Sequence, residues 1–402
     1  MPKANVALGD NSLVPELDSI YLAYAGVSPV TRPVRAAVEA VLTDFGRRGR
    51  AAILEWIKQR ERLREGFATF LGAQPSQLAF TTGTTRGIMD LGLSLKWEPG
   101  DVIVVFDGEF PANVTPWQSL QQLYAVRVEL LPRPDPSKGE DALLGPLESA
   151  LRKGVRLVAL SAVQFQTGLR APLRKVADLC HHFGAELSVD AIQACGVLPL
   201  DVTDTQLDYL VTGGHKWMMG MDGAGVIYVH PDRARALKPS TAGWLSVKDG
   251  TRFLFEGPGE LRYDRELVPA PRFLESGSSG TAAFAALEAA LLPIQELGTK
   301  AIFAHVSSYE DELERGLLER GFRSLRARDP ELRSGILSVE PPADLRASAL
   351  NDGLFQRGVV TTNPDGLLRF APHFPNHVRE IPNVLGALDE TMRELRALRS
   401  SR

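Results

Sequence analysis

Two residues carry the strongest chemical signal in the chain. Asp190 follows the short run Glu186–Val189, and Lys216 follows a second run, Tyr209–Val211, inside Thr212-Gly213-Gly214-His215-Lys216-Trp217. Taken singly, each has an ordinary explanation. An Asp after a strand caps or turns the chain, and a Lys in a Gly-rich loop is solvated. Together they suit a specific task. A lysine amine can form a Schiff base with an aldehyde, and a carboxylate beside it can keep a pyridine nitrogen protonated; pyridoxal phosphate needs both.

The elements that must position this pair lie between about residues 77 and 230. Apolar runs there alternate with helical stretches: Gln77–Thr82, Val102–Phe106, Val126–Leu131, Val155–Leu160, Glu186–Val189, Tyr209–Val211 and Val226–Val229. Several read as strands buried on both faces, and the alternation favours a largely parallel sheet. Ligands bind such a sheet outside the carboxyl ends of its strands, where both residues fall. Thr85–Leu95, Gly145–Lys153 and Leu173–Phe183 are candidate crossover helices. Pro33–Phe70 reads as helix, with Val34, Val38, Val41 and Phe45 at helical spacing, and residues 1–20 as a loose arm. Loops fill 240–280. A helix over Thr281–Leu297, which Pro293 can kink or end early, precedes another over Ala304–Arg320. Strands at Ser334–Ser338 and Val359–Thr361 and a last helix at Val384–Leu398 follow. The expected organisation is α/β: an N-terminal arm over 1–29, a large cofactor-binding domain over 30–265 and a smaller α+β domain over 285–402.

Other strand ends carry polar or flat side chains. Thr81-Thr82-Gly83-Thr84-Thr85-Arg86-Gly87 follows a strand and opens a helix, where backbone N–H groups and hydroxyls suit a phosphate as well as a plain cap. Phe110 lies in Asp107-Gly108-Glu109-Phe110-Pro111-Ala112-Asn113, and Gln164 in Ser161-Ala162-Val163-Gln164-Phe165-Gln166-Thr167-Gly168. Asp190-Ala191-Ile192-Gln193 with His215-Lys216 resembles the class V aminotransferase group, which includes cysteine desulfurases, selenocysteine lyases and isopenicillin N epimerase-like enzymes. The resemblance implies fold type I of the pyridoxal-phosphate-dependent transferases. It implies that Lys216 binds the cofactor, Asp190 pairs with the ring nitrogen, Gln193 bonds the phenolic oxygen and Ile192 covers one ring face. By the same resemblance Gly83, Thr84 and Thr85 hold the phosphate, Phe110 stacks on the ring and Gln164 supplies a polar contact. Gly213 stands where the family commonly has Ser, so His215 carries more of the phosphate contact. Phe273-Leu274-Glu275-Ser276-Gly277-Ser278 resembles a turn whose hydroxyl, here Ser278, reaches the neighbouring subunit's phosphate, which implies a homodimer with sites at the interface. Arg369, in Leu367-Leu368-Arg369-Phe370-Ala371-Pro372-His373-Phe374-Pro375-Asn376, matches the family's carboxylate-binding Arg segment.

These residues point to an enzyme acting at the α-carbon of a small L-amino acid, an aminotransferase in the first reading. β-Elimination of the C–S lyase or desulfurase kind, and epimerisation, are the alternatives. A desulfurase needs a nucleophilic Cys shortly before the Arg segment, and 360–369 contains none. A nucleotide-dependent oxidoreductase lacks its GxGxxG fingerprint, and a silent binding protein has no reason to keep a buried amine. His181 and His182 are adjacent on a predicted helix, diverge, and make no metal site. The net charge of −4, from 45 Lys plus Arg against 49 Asp plus Glu, does not invite nucleic acid or an anionic membrane. Two cysteines and the absence of a signal-like or spanning apolar run lead to an expected cytoplasmic setting.

Overall fold

The computed structural model describes residues 6–400. The first five residues of the expected arm, and residues 401–402, lie outside the described residues. In chain order the elements begin with β1 (Ile20–Tyr21), α1 (Arg32–Arg48), α2 (Ile53–Leu71), β2 (Leu78–Thr81), α3 (Thr84–Ser94), β3 (Val102–Phe106), α4 (Thr115–Tyr124) and β4 (Arg127–Leu131). Next come α5 (Asp141–Leu151), β5 (Leu157–Ser161), α6 (Leu173–His182), β6 (Glu186–Asp190), α7 (Val202–Thr205), β7 (Tyr209–Gly213), β8 (Gly225–Val229) and α8 (Pro231–Ala234). The last part holds α9 (Thr281–Leu297), α10 (Thr299–Glu319), β9 (Arg323–Ser324), β10 (Leu337–Glu340), α11 (Ala347–Gln356), β11 (Val359–Val360), β12 (Leu368–Phe370) and α12 (Ile381–Ser400).

Seven strands form the central sheet in the order β2-β8-β7-β6-β5-β3-β4, and only β8 runs against the rest. Its middle strands are buried on both faces. Alternate residues face opposite sides. Val104, Val158, Leu187, Val189 and Leu210 therefore enter one apolar core, and Ile103, Val105, Leu157, Val211 and Ile227 enter another. Register places Ser161 opposite Asp190, and Asp190 opposite Val211, so neighbouring strands end level. A second sheet, β12-β10-β9, packs with α10, α11 and α12 around a third apolar core.

Several expectations are corrected. Residues 6–20 are not a loose arm throughout: Leu13 and Val14 are buried, and β1 pairs in parallel with β11. Tyr24 N–H donates to Ala371 O and Ala371 N–H to Leu22 O. Pro33–Phe70 is two helices, because Gly49 adopts φ +52 and a tight turn over Gly49–Ala52 redirects the chain. Pro293 does not end α9, which runs on to Leu297. The strand expected at Ser334–Ser338 starts three residues later, at Leu337.

One ion pair ties α2 to β2. Arg64 is 1% exposed, and it grips Glu275 through Nη1–Oε1 at 2.7 Å and Nη2–Oε2 at 3.0 Å. Glu275 Oε1 also accepts the Phe80 N–H at 3.1 Å, and the guanidinium lies 4.4 Å above the Phe80 ring. Glu61 is the only other carboxylate paired with Arg64 among the described residues. Removing one partner of a buried pair strands the other's charge. Glu275→Gln should therefore cost about 3 kcal/mol in denaturant unfolding; a loss of under about 1 kcal/mol would show that the pair is solvated.

Candidate active site

Asp190 is the last residue of β6 and is 2% exposed. Its Oδ1 accepts the Ile192 N–H at 3.0 Å. Burial raises its carboxyl to about 6, against the pull of that N–H and of the Lys216 charge. Lys216 follows β7, on the turn beyond Gly213. Burial lowers its amine to about 8; Asp190 raises it and Arg369 lowers it further. Lys216 Nζ stands 5.4 Å from the centre of the Phe110 ring, which packs edge-on against Phe165 at 5.2 Å. Arg369 on β12 is 5% exposed. Its Nε donates to Thr362 Oγ1 at 2.9 Å and its Nη1 to Phe165 O at 2.7 Å. No carboxylate pairs with it among the described residues, and burial lowers its pKa to about 10. A buried cation without an anion is costly, so the place suits an acidic ligand.

The start of α3 makes the second half of the site. No side chain caps that helix, and a Cβ at Gly83 would meet nothing within 4 Å. The buried Thr84 Oγ1 has no partner among the described residues. Around the spot where Gly213 would carry a Cβ lie Thr84 Oγ1 at 3.2 Å, Ile192 Cδ1 at 3.3 Å and His215 Cε1 at 3.4 Å. Residues from three strand ends thus converge, and any larger side chain at 213 would fill the space between them. Free helix N–H groups with an unpartnered hydroxyl form a ready phosphate cradle.

Gln164 is committed to the protein: Nε2 donates to Gly108 O at 2.6 Å and Gln166 Oε1 at 3.2 Å, and Oε1 accepts from the Gln166 and Thr167 N–H groups. It braces its own turn and has no N–H left for a cofactor. Gln193 donates to Ala25 O at 3.0 Å and accepts from Trp217 Nε1 at 2.7 Å, which leaves one amide hydrogen. His215 Nδ1 is 3.1 Å from Asp222 Oδ1, and burial lowers the pKa of its ring. Thr85 and Ser278 are exposed.

Sequence reasoning missed Glu109. It accepts the Ser161 N–H at 2.7 Å, the Ser161 hydroxyl and Asn113 Nδ2 at 3.1 Å. Burial raises it to about 7, with the Asp190 charge adding to the rise. Its place directly before Phe110 was the available signal.

The family model for aminotransferase class-V matches residues 20–362. The chain belongs to the class V aminotransferase family. A relative from Bacillus subtilis, named uncharacterized aminotransferase YcbU, is 26% identical over 90% of this chain and 92% of its own length. Isopenicillin N epimerase from Streptomyces clavuligerus is 27% identical over 88% of each chain. The apo cysteine desulfurase from Thermococcus onnurineus NA1 shares the fold, with a TM-score of 0.82 at 22% identity over 94% of this chain and 95% of that one. Class V membership makes the protein a pyridoxal-phosphate-dependent enzyme. The residues present fit that cofactor: an amine, a buried carboxylate, a flat ring and an unpartnered hydroxyl at a helix start. Among the described residues no helix is long and apolar enough to cross a membrane.

The depressed Lys216 amine has a measurable consequence. Only the neutral amine attacks an aldehyde, so uptake of pyridoxal phosphate by the apo protein should quicken as pH rises through about 8. A midpoint in the ordinary lysine range, about 10.4, would contradict the burial described.

Proposed function

We propose that the enzyme is an aminotransferase acting on a small L-amino acid, with Lys216 as its proton-moving group and Arg369 as its carboxylate grip. The observation that carries this is the setting of Lys216: an amine at about 8, facing a phenyl ring and sharing its field with Asp190 and Arg369. When bound, pyridoxal phosphate supplies the electron sink for charge left at a substrate's α-carbon. Lys216 would hold the cofactor through Nζ, Asp190 would keep the ring nitrogen protonated, and Phe110 would back the ring. Gly83, Thr84 and His215 would hold the phosphate, with Ile192 against the ring. Once freed by substrate, Lys216 Nζ moves the α-proton as general base and then acid. Arg369 keeps N–H groups beyond those given to Thr362 and Phe165, and these would orient the α-carboxylate. The names of the aminotransferase and epimerase relatives support chemistry at the same carbon.

Two alternatives weaken on specific observations. Cys180 and Cys195 are buried, and burial pushes both thiols up to about 12, so neither suits a persulfide-forming nucleophile. Two-base epimerisation needs a second proton carrier facing the lysine, and Phe110 carries none. β-Elimination from a sulfur-containing amino acid needs only the lone base and is the second reading.

We infer a homodimer. Trp244, Phe253, Leu254, Leu261 and Tyr263 are exposed on one loop segment, with Leu54 and Ile57 exposed on α2. Arg50 joins the two regions, donating to Leu254 O and lying 4.9 Å over Phe255. So much exposed apolar surface favours a partner, and an exposed Ser278 suits a turn that serves the neighbouring site.

Mixed with its amino acid, the purified enzyme should convert its cofactor to the amine form, and a keto acid should restore the original band. Ammonia and a keto acid released from cysteine or cystine, with no amine-form cofactor, would establish elimination instead. Sedimentation should give twice the chain mass, and a monomer at micromolar concentration would refute the dimer.

A further inference from the structure

The turn that carries Lys216 is held from behind by a side chain the reaction does not touch. His373 is fully buried, in a cage of Tyr24 at 5.2 Å, Trp217 at 5.5 Å and Phe374 at 4.9 Å between ring centres. Its Nε2 lies 2.7 Å from the carbonyl oxygen of Trp217, the residue directly after Lys216. Its Nδ1 has no partner among the described residues. Burial pushes its pKa down to about 3, with a smaller lowering from the charge of His305, against the raising effect of the bond to Trp217. The ring is therefore neutral. A carbonyl only accepts, so the single N–H lies on Nε2. A histidine with one nitrogen orphaned is a poor choice for packing alone, because a phenyl ring would fill the cage without the orphaned Nδ1. What the position gains from histidine is the donor.

The Trp217 carbonyl is constrained from the other side too. Gly196 has φ +105, and a Cβ there would stand 2.4 Å from that oxygen. The Trp217 indole donates to Gln193, which in turn donates to Ala25 O. His373 itself follows β12, the strand that carries Arg369. It thus joins that strand to the turn bearing Lys216.

We propose that His373 is a positioning residue whose Nε2–H bond to the Trp217 carbonyl sets the spacing between Lys216 and Arg369. This rests on the reading of Lys216 as the amine that holds the cofactor and Arg369 as the carboxylate grip.

The test uses the full-length, cofactor-loaded enzyme. His373→Phe keeps the aromatic filling and removes the donor; His373→Gln returns an N–H near the Nε2 position. His373→Phe should lower kcat on the order of tenfold to a hundredfold, with KM changed less, as expected of a misplaced reacting group. It should also alter the circular dichroism of the cofactor's visible band, while the variant still folds and binds the cofactor. His373→Gln should recover most of kcat and the parent dichroism. A His373→Phe enzyme with unchanged kcat and dichroism overturns the proposal, and so does a Gln variant as impaired as the Phe variant. If the Phe variant does not fold, His373→Met takes its place and is judged against His373→Gln by the same two signals. Failure of the underlying reading shows separately, as a cofactor band that survives Lys216→Ala.

Discussion

Asp190 ends one strand and Lys216 lies on the turn just beyond its neighbour; both are drawn out of water, and they carry opposite charges. Each sets the other's affinity for a proton. Burial alone drives the carboxyl up and the amine down, toward neutral partners; their mutual attraction holds them back. Arg369 adds a second cation that nothing in the chain neutralises among the described residues. The balance leaves the amine at about 8. In open water the same three side chains would be ordinary ions, screened and nearly independent. The dry setting comes from a sheet covered on both faces, whose strands end at one level.

The same burial explains how the supporting groups are used. Polar side chains near the strand ends serve the chain before any ligand. Gln164 braces its turn, Glu275 neutralises Arg64, and Glu109 pins the ends of two strands together. Two groups at the proposed site stay open: Thr84 Oγ1 has no partner among the described residues, and Arg369, though bonded to Thr362 and Phe165, has no carboxylate there. Unsatisfied buried groups are costly in a finished fold.

Much of this was legible in the sequence, for identifiable reasons. All seven strands of the central sheet were readable, because runs such as Val102–Phe106 are apolar throughout and lie between helical stretches. The Asp190 and Lys216 pairing was readable from their positions after two such runs. The strand β12 was not: it is only three residues long, and its Arg369 was found by resemblance rather than by pattern. The commitment of Gln164 to Gly108 depends on the approach of two loops distant in sequence, which no local spacing encodes. The docking of residues 20–25 was missed because a two-residue strand, Ile20–Tyr21, gives no period to detect. The orphaned nitrogen of His373 likewise exists only once three distant segments meet.

The pairing of β1 with β11 has a consequence for synthesis. Contacts that span most of the chain carry the largest loop-closure cost and form late. The central sheet ends at Val229 and can assemble while the ribosome is still making the rest. Residues 20–25, whose Ala25 carbonyl accepts from Gln193 and whose Tyr24 ring lies along Trp217, have no strand to join until position 360 has emerged. The nascent chain thus passes through a stage with its central sheet formed and residues 20–25 undocked, and translation of the C-terminal segment supplies their partner.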